Sequence, residues 1–509
     1  MRRVRSAVLV AGLVALAACG DGGSILDAGN DEQQASTVPA STAPVSTRPG
    51  DTTTMAPTTV PPTTTTTPLD SLPACPTDAL ASAAGPIEIT FWHGMNAANQ
   101  DALIALTDAY NASQTKVHVT LQNQGGYEAT VDKYLQSDQK NRPDLVQFPE
   151  YMVRTIIDTH STIPAGACIR SDGYDTSKLL PRALDYYATE GVQWSMPFNV
   201  SNPVLFYNKA VWTKAGLDPE QPPLSLEDVR AQSRQIVDSG AAKYGIAVDS
   251  DFDGGGGWYI EQWFGKLGQF YADNENGRIA PAAKVLFDGP VGVQLMTELQ
   301  SLVRDGLAVN VGDNASGQDG LLKLADPNEP AAMNIATSAA LGTVLSVVDG
   351  GLIPGITSDQ IGVGPMPGPG TGKGALIGGA SLWVVDGKGD AQAAATWDFV
   401  KFLVSAESQS KWAVATGYVP INADAPGLDP LKTTYANDPR FKVAYDQVAA
   451  SSDDPSQKGP IIGPLREVRV VTARAVAAIL NGADPQASLS DAAAQANALI
   501  ADYTARAGG

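Results

Sequence analysis

The chain contains few cysteines, few histidines and few charged residues, which are the residue types that most often bind metals or catalyse reactions. Its 509 residues include only three cysteines and three histidines, and Asp, Glu, Lys and Arg together make up 17%. Three cysteines are too few for a disulfide framework. The histidines, at positions 93, 118 and 160, do not form the short-spaced pairs that bind zinc. These shortages give no support to a disulfide-stapled domain or to a zinc hydrolase.

Basic residues are scarce relative to acidic ones. The formal net charge is −20, from 34 Lys and Arg against 54 Asp and Glu. Nucleic acids and anionic lipid surfaces are bound by clustered Lys and Arg, so neither is an expected partner. No apolar run reaches the ~20 residues of a membrane-spanning helix. The chain also lacks a Gly-x-Ser-x-Gly nucleophile turn and a Gly-Lys-Ser/Thr phosphate loop, which gives no support to a serine hydrolase or a nucleotide-binding protein.

The first twenty residues have the pattern of an export signal. Three arginines precede an apolar stretch over residues 7–18, which ends in Leu-Ala-Ala followed by Cys19. This ending resembles the lipobox of bacterial lipoproteins, where cleavage precedes the cysteine and its thiol receives a diacylglyceryl group. The resemblance implies lipidation of Cys19 and a lipid anchor on the extracytoplasmic face of the cell membrane. A plain signal peptide with an incidental cysteine and a short membrane helix are the alternatives.

The rest of the chain divides into a spacer and a folded body. Residues 35–68 are almost wholly Thr, Pro, Ser, Ala and Val, a composition typical of a disordered stalk. Cys75 and Cys168 would share an oxidising compartment, so we expect one disulfide, with two free thiols as the alternative. We therefore predict a signal peptide over residues 1–18, a lipidated stalk over 19–84 and a folded body over 85–509.

The folded body begins with alternating strand and helix patterns. The patterns predict strands at 87–91, 117–121 and 144–148, and helices over 101–110 and from about 129. We expect Leu103, Ile104 and Leu106 to face the core from the first of these helices. The alternation predicts a parallel α/β sheet, whose ligand-binding residues lie at the carboxyl ends of the strands. Tyr127 and Glu150 are expected at that edge.

Two apolar segments, at 203–207 and 375–385, have the pattern of strands that cross between two groups of elements. Ser225 predicts the start of a helix that runs to Gly240. Further strands are predicted at 245–248 and 333–336. We predict lobe 1 over about 85–200 with parts of 340–440, and lobe 2 over about 208–335 with the C-terminal helices. The predicted fold is a two-lobed α/β clamshell with mixed sheets, flanking helices and hinge crossovers.

Six segments of the body carry a resemblance to a known family. They are Ile89–Met95, Gly126–Glu128, Pro197–Lys209, Ala215–Pro219, Ile377–Val384 and Thr416–Ile421. In order and spacing they resemble the extracellular solute-binding proteins (family 1) of ABC importers, and most closely the branch that binds glycerol 3-phosphate. The resemblance runs from about Ile87 to Arg506. It implies a periplasmic-binding-protein fold of type II.

The resemblance also implies a ligand site. The implied ligand-binding residues are Tyr127, Glu150, Ser201, Ser338, Gly378, Tyr418 and Arg469, with Trp258 or Trp263, or both, as an apolar wall. Hydroxyls, a backbone N–H and a guanidinium suit phosphate oxygens, and a carboxylate accepts hydrogen bonds from glycerol hydroxyls. Ser338 as a helix cap only and Arg469 as a surface residue are the alternatives. Acidic residues of that branch are replaced here by residues 96–98, Asn-Ala-Ala, which leaves room for a diester such as glycerophosphocholine or for a sugar.

The expected function is that of a substrate-binding lipoprotein of an ABC importer. It would capture a small polar solute, glycerol 3-phosphate or a glycerophosphodiester, and deliver it to a membrane permease. No cofactor, metal or catalytic residue is expected, and the protein is expected to be a monomer. A neutral sugar or an oligosaccharide of the maltose or trehalose type is the alternative ligand. A cell-surface carbohydrate-active enzyme with a carboxylate pair is the alternative class.

Overall fold

The computed structural model describes residues 69–314, 317–370 and 373–507. These residues form thirteen strands: β1 Ile87–His93, β2 Val117–Asn123, β3 Leu145–Pro149, β4 Thr162–Ile163, β5 Ala188–Thr189, β6 Val192–Gln193, β7 Met196–Ser201, β8 Pro203–Asn208, β9 Tyr244–Val248, β10 Ala308–Asn310, β11 Ala331–Thr337, β12 Ile361–Pro365 and β13 Gly378–Val385. The signal peptide, Cys19 and the stalk up to residue 68 lie outside the described residues.

Helices cover the sheets and the C-terminal region. The described residues form eighteen of them: α1 Ala97–Ser113, α2 Tyr127–Gln136, α3 Val153–Asp158, α4 Ala165–Asp172, α5 Pro181–Tyr186, α6 Lys209–Ala215, α7 Leu226–Asp238, α8 Trp258–Lys266, α9 Asp273–Gly277, α10 Pro290–Arg304, α11 Asp319–Leu322, α12 Leu341–Asp349, α13 Asp390–Leu403, α14 Ala406–Thr416, α15 Leu431–Asn437, α16 Val443–Ala449, α17 Leu465–Leu480 and α18 Pro485–Ala507. Within this described part, no helix combines the length and apolar character needed to cross a bilayer.

The first sheet has the order β2-β1-β3-β13-β4, and β7 also pairs with β13. Strand β1 runs parallel to β2 and β3, whereas β13 runs antiparallel to β3, β4 and β7. The three strands predicted from the first alternating patterns are confirmed as β1, β2 and β3. All five residues of β3 are buried, as expected for a central strand covered on both faces.

Helix α1 corrects one predicted core residue. Leu103, Leu106, Thr107 and Tyr110 are buried, whereas Ile104 is 39% exposed. The buried positions follow the i, i+3, i+4, i+7 spacing of one helix face. Ile104 was wrongly placed in the core because it lies about 100° around the helix from Leu103, outside that apolar stripe.

The second sheet has the order β10-β9-β11-β8-β12. Strands β9, β10 and β11 are mutually parallel, and β8 runs antiparallel to β11 and β12. The predicted strands at 245–248 and 333–336 are confirmed. Helix α7 starts at a capping box formed by Ser225 and Asp228 and ends at Asp238. It stops short of Gly240, whose φ of +67° is left-handed.

Both predicted crossings between the sheets are present. Strand β7 belongs to the first sheet and β8 to the second, so the chain changes sheet at Asn202. The second crossing lies between β12, which ends at Pro365, and β13, which begins at Gly378. The Asn202 side chain donates to Ala444 O (2.8 Å) and accepts from Gln447 Nε2 (2.8 Å), which fixes the first crossing. The mixed sheets and crossovers agree with the predicted two-lobed α/β fold.

The region before β1 packs against the body. Cys75 and Cys168 form a disulfide, as expected for this pair, and both are buried. The turn Thr77–Leu80 packs against α13. The packed body therefore includes residues 69–84 and begins before the predicted boundary at residue 85. The Cys75–Cys168 disulfide bonds this segment to α4. The Pro- and Ala-containing composition of the segment does not by itself predict that it packs against the body.

Candidate functional site

Four of the predicted site residues lie at one edge of the first sheet, which we call the carboxyl edge because β1, β2 and β3 all end there. Tyr127 begins α2 after β2, and Glu150 follows β3 directly. Gly378 begins β13 opposite Ser201, the last residue of β7. Since β13 and β7 lie in this same sheet, four predicted residues come from four different strand ends at the carboxyl edge.

Two tyrosine hydroxyls face each other at this edge. The hydroxyl oxygens of Tyr127 and Tyr418 are 3.4 Å apart. Asn199 Nδ2 donates to the Tyr127 hydroxyl (2.7 Å), and Asn199 Oδ1 accepts from Gln147 Nε2 (2.7 Å). The Tyr418 ring stacks on Trp412, with centroids 5.5 Å apart and planes 10° apart. Buried amides and a stacked indole therefore hold both hydroxyls in place.

Ser338 joins the second sheet to the first crossing. Its N–H donates to Asn202 O (2.9 Å), and its hydroxyl accepts from Asn202 N (3.4 Å). The cap of the following turn is Thr337, whose hydroxyl accepts from Ala339 N (3.3 Å). The alternative that made Ser338 the helix cap is therefore wrong. The structure places Ser338 at the first crossing, against Asn202, the residue that follows Ser201.

Trp258 packs on the start of β13. A Cβ on Gly378 would lie 2.3 Å from Cζ2 of the indole, so only glycine leaves room for this ring. The Trp258 Nε1 atom is buried and has no hydrogen-bond partner among the described residues. Trp263 lies apart from this contact. Its Nε1 donates to Pro367 O (3.1 Å), and its ring lines a small internal cavity of about 30 Å³ that Ile335 also lines.

Arg469 is fully buried at the centre of a charge network, which we define as Arg469, Glu150, Asp253 and Glu261. Its Nε and one terminal nitrogen donate to both carboxylate oxygens of Glu261, at 2.7 and 2.8 Å. Its other terminal nitrogen donates to Glu150 Oε1 (3.0 Å) and Asp253 Oδ1 (3.1 Å). Glu150 follows a strand of the first sheet, whereas Asp253 and Glu261 follow β9 of the second. The alternative that made Arg469 a surface residue is wrong.

The network holds three carboxyl groups for one guanidinium, and Glu150 is buried within it. Burial raises the pKa of Glu150 to about 8, with Arg469 opposing the rise and Asp253 and Glu261 adding to it. In the preceding loop, burial raises the pKa of Asp251 to about 8 and of Asp249 to about 6. At neutral pH this side of the site therefore binds protons that exposed carboxylates would have released.

A second ion pair extends the network along the same helix. Arg466, one turn before Arg469 on α17, pairs with Glu128 on α2. Tyr151 connects the two pairs, since its hydroxyl donates to Glu128 Oε1 (2.6 Å) and its ring centroid lies 5.4 Å from the Arg469 guanidinium. Helix α17 thus fastens α2 and the end of β3 to the loop that follows β9.

The four glycines at 254–257 allow close packing. A Cβ on Gly256 would lie 2.7 Å from the Cα of Ala473, and a Cβ on Gly257 would lie 3.0 Å from Arg469 Cβ. The loop that carries Asp253 can therefore lie directly against α17. Among the described residues, no group of three or more His, Cys, Asp or Glu side chains is arranged to hold a metal ion.

Comparison with known proteins identifies the family. Residues 105–443 match the family described as bacterial extracellular solute-binding protein. The chain belongs to this family. It is similar to the sn-glycerol-3-phosphate-binding periplasmic protein UgpB of Pectobacterium atrosepticum, at 29% identity over 440 residues that cover 84% of this chain and 95% of the relative. UgpB of Yersinia pseudotuberculosis is 28% identical over 431 residues, covering 82% and 94%.

Solved structures share the fold. The cyclic alpha-maltosyl-1,6-maltose binding protein of Arthrobacter globiformis superposes with a TM-score of 0.66 at 21% identity, covering 82% of this chain and 99% of the other. UgpB of Mycobacterium tuberculosis in complex with glycerophosphocholine gives a TM-score of 0.66 at 19% identity, with the same two coverages. The predicted family and fold of this solute-binding protein are therefore confirmed.

The sequence left out several residues that the structure of this solute-binding protein adds to the site. They are Asn199, Asp253 and Glu261. The sequence does contain a signal that Glu261 is buried with a cationic partner: it is the one acidic residue among the apolar and aromatic residues of α8. An isolated acid in an apolar helix is rarely buried without a cationic partner. Asn199 lies inside one of the six matching segments.

Proposed function

We propose that this protein is the solute receptor of an ABC importer and that its solute is a glycerophosphodiester such as glycerophosphocholine. The observation that carries the choice of solute is the surplus of carboxyl groups around Arg469. A permease in the membrane would receive the solute. Family membership supports the transport role, and the charge network supports a solute without a large net negative charge.

The hydrogen bonds that Arg469 already makes favour a phosphate diester over a monoester. A guanidinium has five N–H groups, and four hydrogen bonds already run from Arg469 to carboxylates of the network. A phosphate monoester carries nearly two negative charges at neutral pH and would meet the carboxyl groups of Asp253 and Glu261 as well. A diester carries one negative charge, and the choline group of glycerophosphocholine balances it.

The rest of the site suits the other parts of such a solute. The hydroxyls of Tyr127 and Tyr418 can donate to phosphoryl oxygens, and Glu150 can accept hydrogen bonds from glycerol hydroxyls. The Trp258 ring offers an aromatic face, a surface that attracts quaternary ammonium groups. Relatives support the same solute class, since the UgpB proteins are named for glycerol 3-phosphate and one structural relative was solved with glycerophosphocholine.

A neutral sugar is the second candidate. Carboxylates and one aromatic wall are also the groups that hold neutral sugars, and a structural relative binds a cyclic maltose-type saccharide. Isothermal titration calorimetry with glycerophosphocholine, glycerol 3-phosphate, maltose and trehalose tests the choice. We expect binding of glycerophosphocholine to be at least tenfold tighter than that of glycerol 3-phosphate. Tight binding of maltose or trehalose alone would replace the diester by a sugar, and turnover of any of the four would replace the receptor by an enzyme.

We also propose that Cys19 carries the lipid anchor and that residues 35–68 form a stalk. The basis is the sequence pattern around Cys19. Changing Cys19 to Ser should move the protein from the membrane fraction to the medium or leave the precursor uncleaved, as seen by fractionation and intact-mass analysis. A variant lacking residues 35–68 is the control and should stay in the membrane fraction. A lipid-free Cys19→Ser protein that is cleaved and retained like the wild type would exclude this anchor.

A further inference from the structure

Two buried amide side chains connect the end of β1 to the Tyr127 hydroxyl. Gln147 lies on β3 and Asn199 on β7, and both are fully buried. On β13, Gln147 pairs with Leu382 and Asn199 with Ala380, so both side chains rise from the same face of the sheet, on either side of that strand. They meet above β13, where Gln147 Nε2 donates to Asn199 Oδ1 (2.7 Å).

A backbone group fixes the direction of these hydrogen bonds. Gln147 Oε1 accepts from the backbone N–H of Gly94 (3.1 Å), which can only donate. The Gln147 nitrogen therefore faces Asn199 Oδ1, and Asn199 Nδ2 donates to the Tyr127 hydroxyl oxygen (2.7 Å). Turning over either amide would set two donors against each other. We call this chain of donors, from Gly94 through Gln147 and Asn199 to Tyr127, the amide relay.

The first residue of the amide relay also packs against the last. A Cβ on Gly94 would lie 2.6 Å from the carbonyl carbon of Gly126 and 2.7 Å from the backbone nitrogen of Tyr127. Only glycine allows so close an approach between the two backbones. The end of β1 therefore positions both the backbone of Tyr127, by direct packing, and its hydroxyl, through the two amides.

The amide relay makes the Tyr127 hydroxyl a donor toward the site. Because its oxygen accepts from Asn199, its hydrogen points in another direction. The Tyr418 oxygen is 3.4 Å away, farther than the ~2.5–3.0 Å of a normal O–H···O bond. A solute atom that approaches the two hydroxyls thus meets a hydrogen at Tyr127. An oxygen that carries negative charge and no hydrogen, such as a phosphoryl oxygen, gains most from such a donor.

We infer that Gln147 and Asn199 are positioning residues that determine specificity, because they hold the Tyr127 hydroxyl as a donor to a phosphoryl oxygen of the solute. The inference rests on the proposed function and adds the buried groups that select this oxygen. A solute group that can only donate, such as an ammonium, is disfavoured at this position. A sugar hydroxyl accepts from Tyr127 as well, but as a neutral acceptor it gains less.

A double-mutant cycle tests the amide relay, with glycerophosphocholine as the probe in calorimetry. We expect Tyr127→Phe to bind about thirtyfold and Asn199→Leu about fivefold more weakly, because a hydrogen bond to a charged group contributes more than one between neutral groups. The combined variant should bind like Tyr127→Phe alone, since Asn199 acts through the hydroxyl that is then missing. A purely structural role of Asn199 would weaken binding further in the combined variant.

Asn334→Leu is the matched control. Asn334 is a buried amide of β11, and its Nδ2 donates to Ala247 O (3.4 Å) within the second sheet. The change should lower the melting temperature and leave the affinity for glycerophosphocholine unchanged. If Asn199→Leu does not fold, the pair Gln147→Leu and Asn199→Leu takes its place in the cycle. It removes both partners of their mutual hydrogen bond, which is less destabilising than removing one.

The other outcomes overturn the inference in distinguishable ways. Wild-type affinity in Asn199→Leu, or a further loss in the combined variant, would overturn the role of the amide relay and leave the proposed solute in place. Equal weakening by Asn334→Leu would assign the effect to the fold. A wild type that does not bind glycerophosphocholine would overturn the proposed solute and, with it, the phosphoryl oxygen as the partner of Tyr127.

Discussion

Replacing Arg469 by Met should lower the free energy of unfolding by about 3–5 kcal/mol, measured by denaturant titration at pH 7. The change removes the cation that Glu150, Asp253 and Glu261 share while leaving the carboxyl groups in place. Arg469 and Glu261 are fully buried, so water cannot take over the lost hydrogen bonds. An uncompensated buried charge is among the most destabilising single changes in a protein.

The loss in Arg469→Met should also depend on pH. Without the guanidinium, the pKa values of Glu150 and Asp253 rise further, because the attraction that opposed burial is gone. A pKa raised in the folded state gives stability that is present at low pH and lost as the pH rises. The deficit should therefore be smaller at pH 5 than at pH 8.

Two further variants separate the network from a general effect of losing arginine. Arg466→Met breaks a pair with Glu128 in which the arginine side chain is 33% exposed, so its effect on unfolding should be clearly smaller. Arg469→Met combined with Glu150→Gln and Glu261→Gln removes two of the carboxyl groups left without Arg469 and should recover part of the loss. If Arg469→Met were as stable as Arg466→Met at pH 8, the claim that the charge network stabilises the contact between the two sheets would be wrong.

Local patterns placed Tyr127 and Glu150 at one edge, because parallel strands bring the residues that follow them to the same edge of a sheet. Ser201 and Gly378 were implied by the family resemblance. Gly378 lies at this edge because β13 runs antiparallel to β3, and Ser201 is its partner on β7. The helical period alone distinguishes Trp263 from Trp258. Trp263 is five residues from Trp258 on the same helix, about 140° around the axis, so the two rings cannot form one wall.

The partners of Arg469 could not be read from the sequence. Glu261 is 208 residues and Glu150 319 residues away along the chain. Hydrophobic periodicity encodes which face of an element is buried, but it carries no information on which distant charges meet. The sequence therefore supplied Arg469 as a candidate for phosphate, whereas its three carboxyl partners, known only from the folded chain, favour a solute with less negative charge.

Glu150→Gln should lower the slope of the free energy of unfolding against pH by the equivalent of about one bound proton. The pKa of Glu150 is raised from 4.5 to about 8, mainly by burial. The stability it contributes is thus fully present below about pH 4.5 and is lost as the pH rises through about 8. One such group changes the free energy of unfolding by ~1.4 kcal/mol per pH unit in this window. Urea unfolding of both proteins at half-unit steps from pH 5 to 8 measures the two slopes.

Asp326→Asn is the matched control. It also replaces an acid by its amide, but at a residue whose pKa is lowered in the folded protein. Hydrogen bonding to Lys323 lowers the pKa of Asp326, so its contribution is present above the unfolded pKa and is lost only in acid. Between pH 5 and 8 this variant should therefore keep the slope of the wild type. Asp249 and Asp251 have raised pKa values, so Glu150→Gln should retain part of the slope. If Glu150→Gln and the wild type gave the same slope, Glu150 would be ionised throughout this range, and the network would carry its full surplus of negative charge at neutral pH.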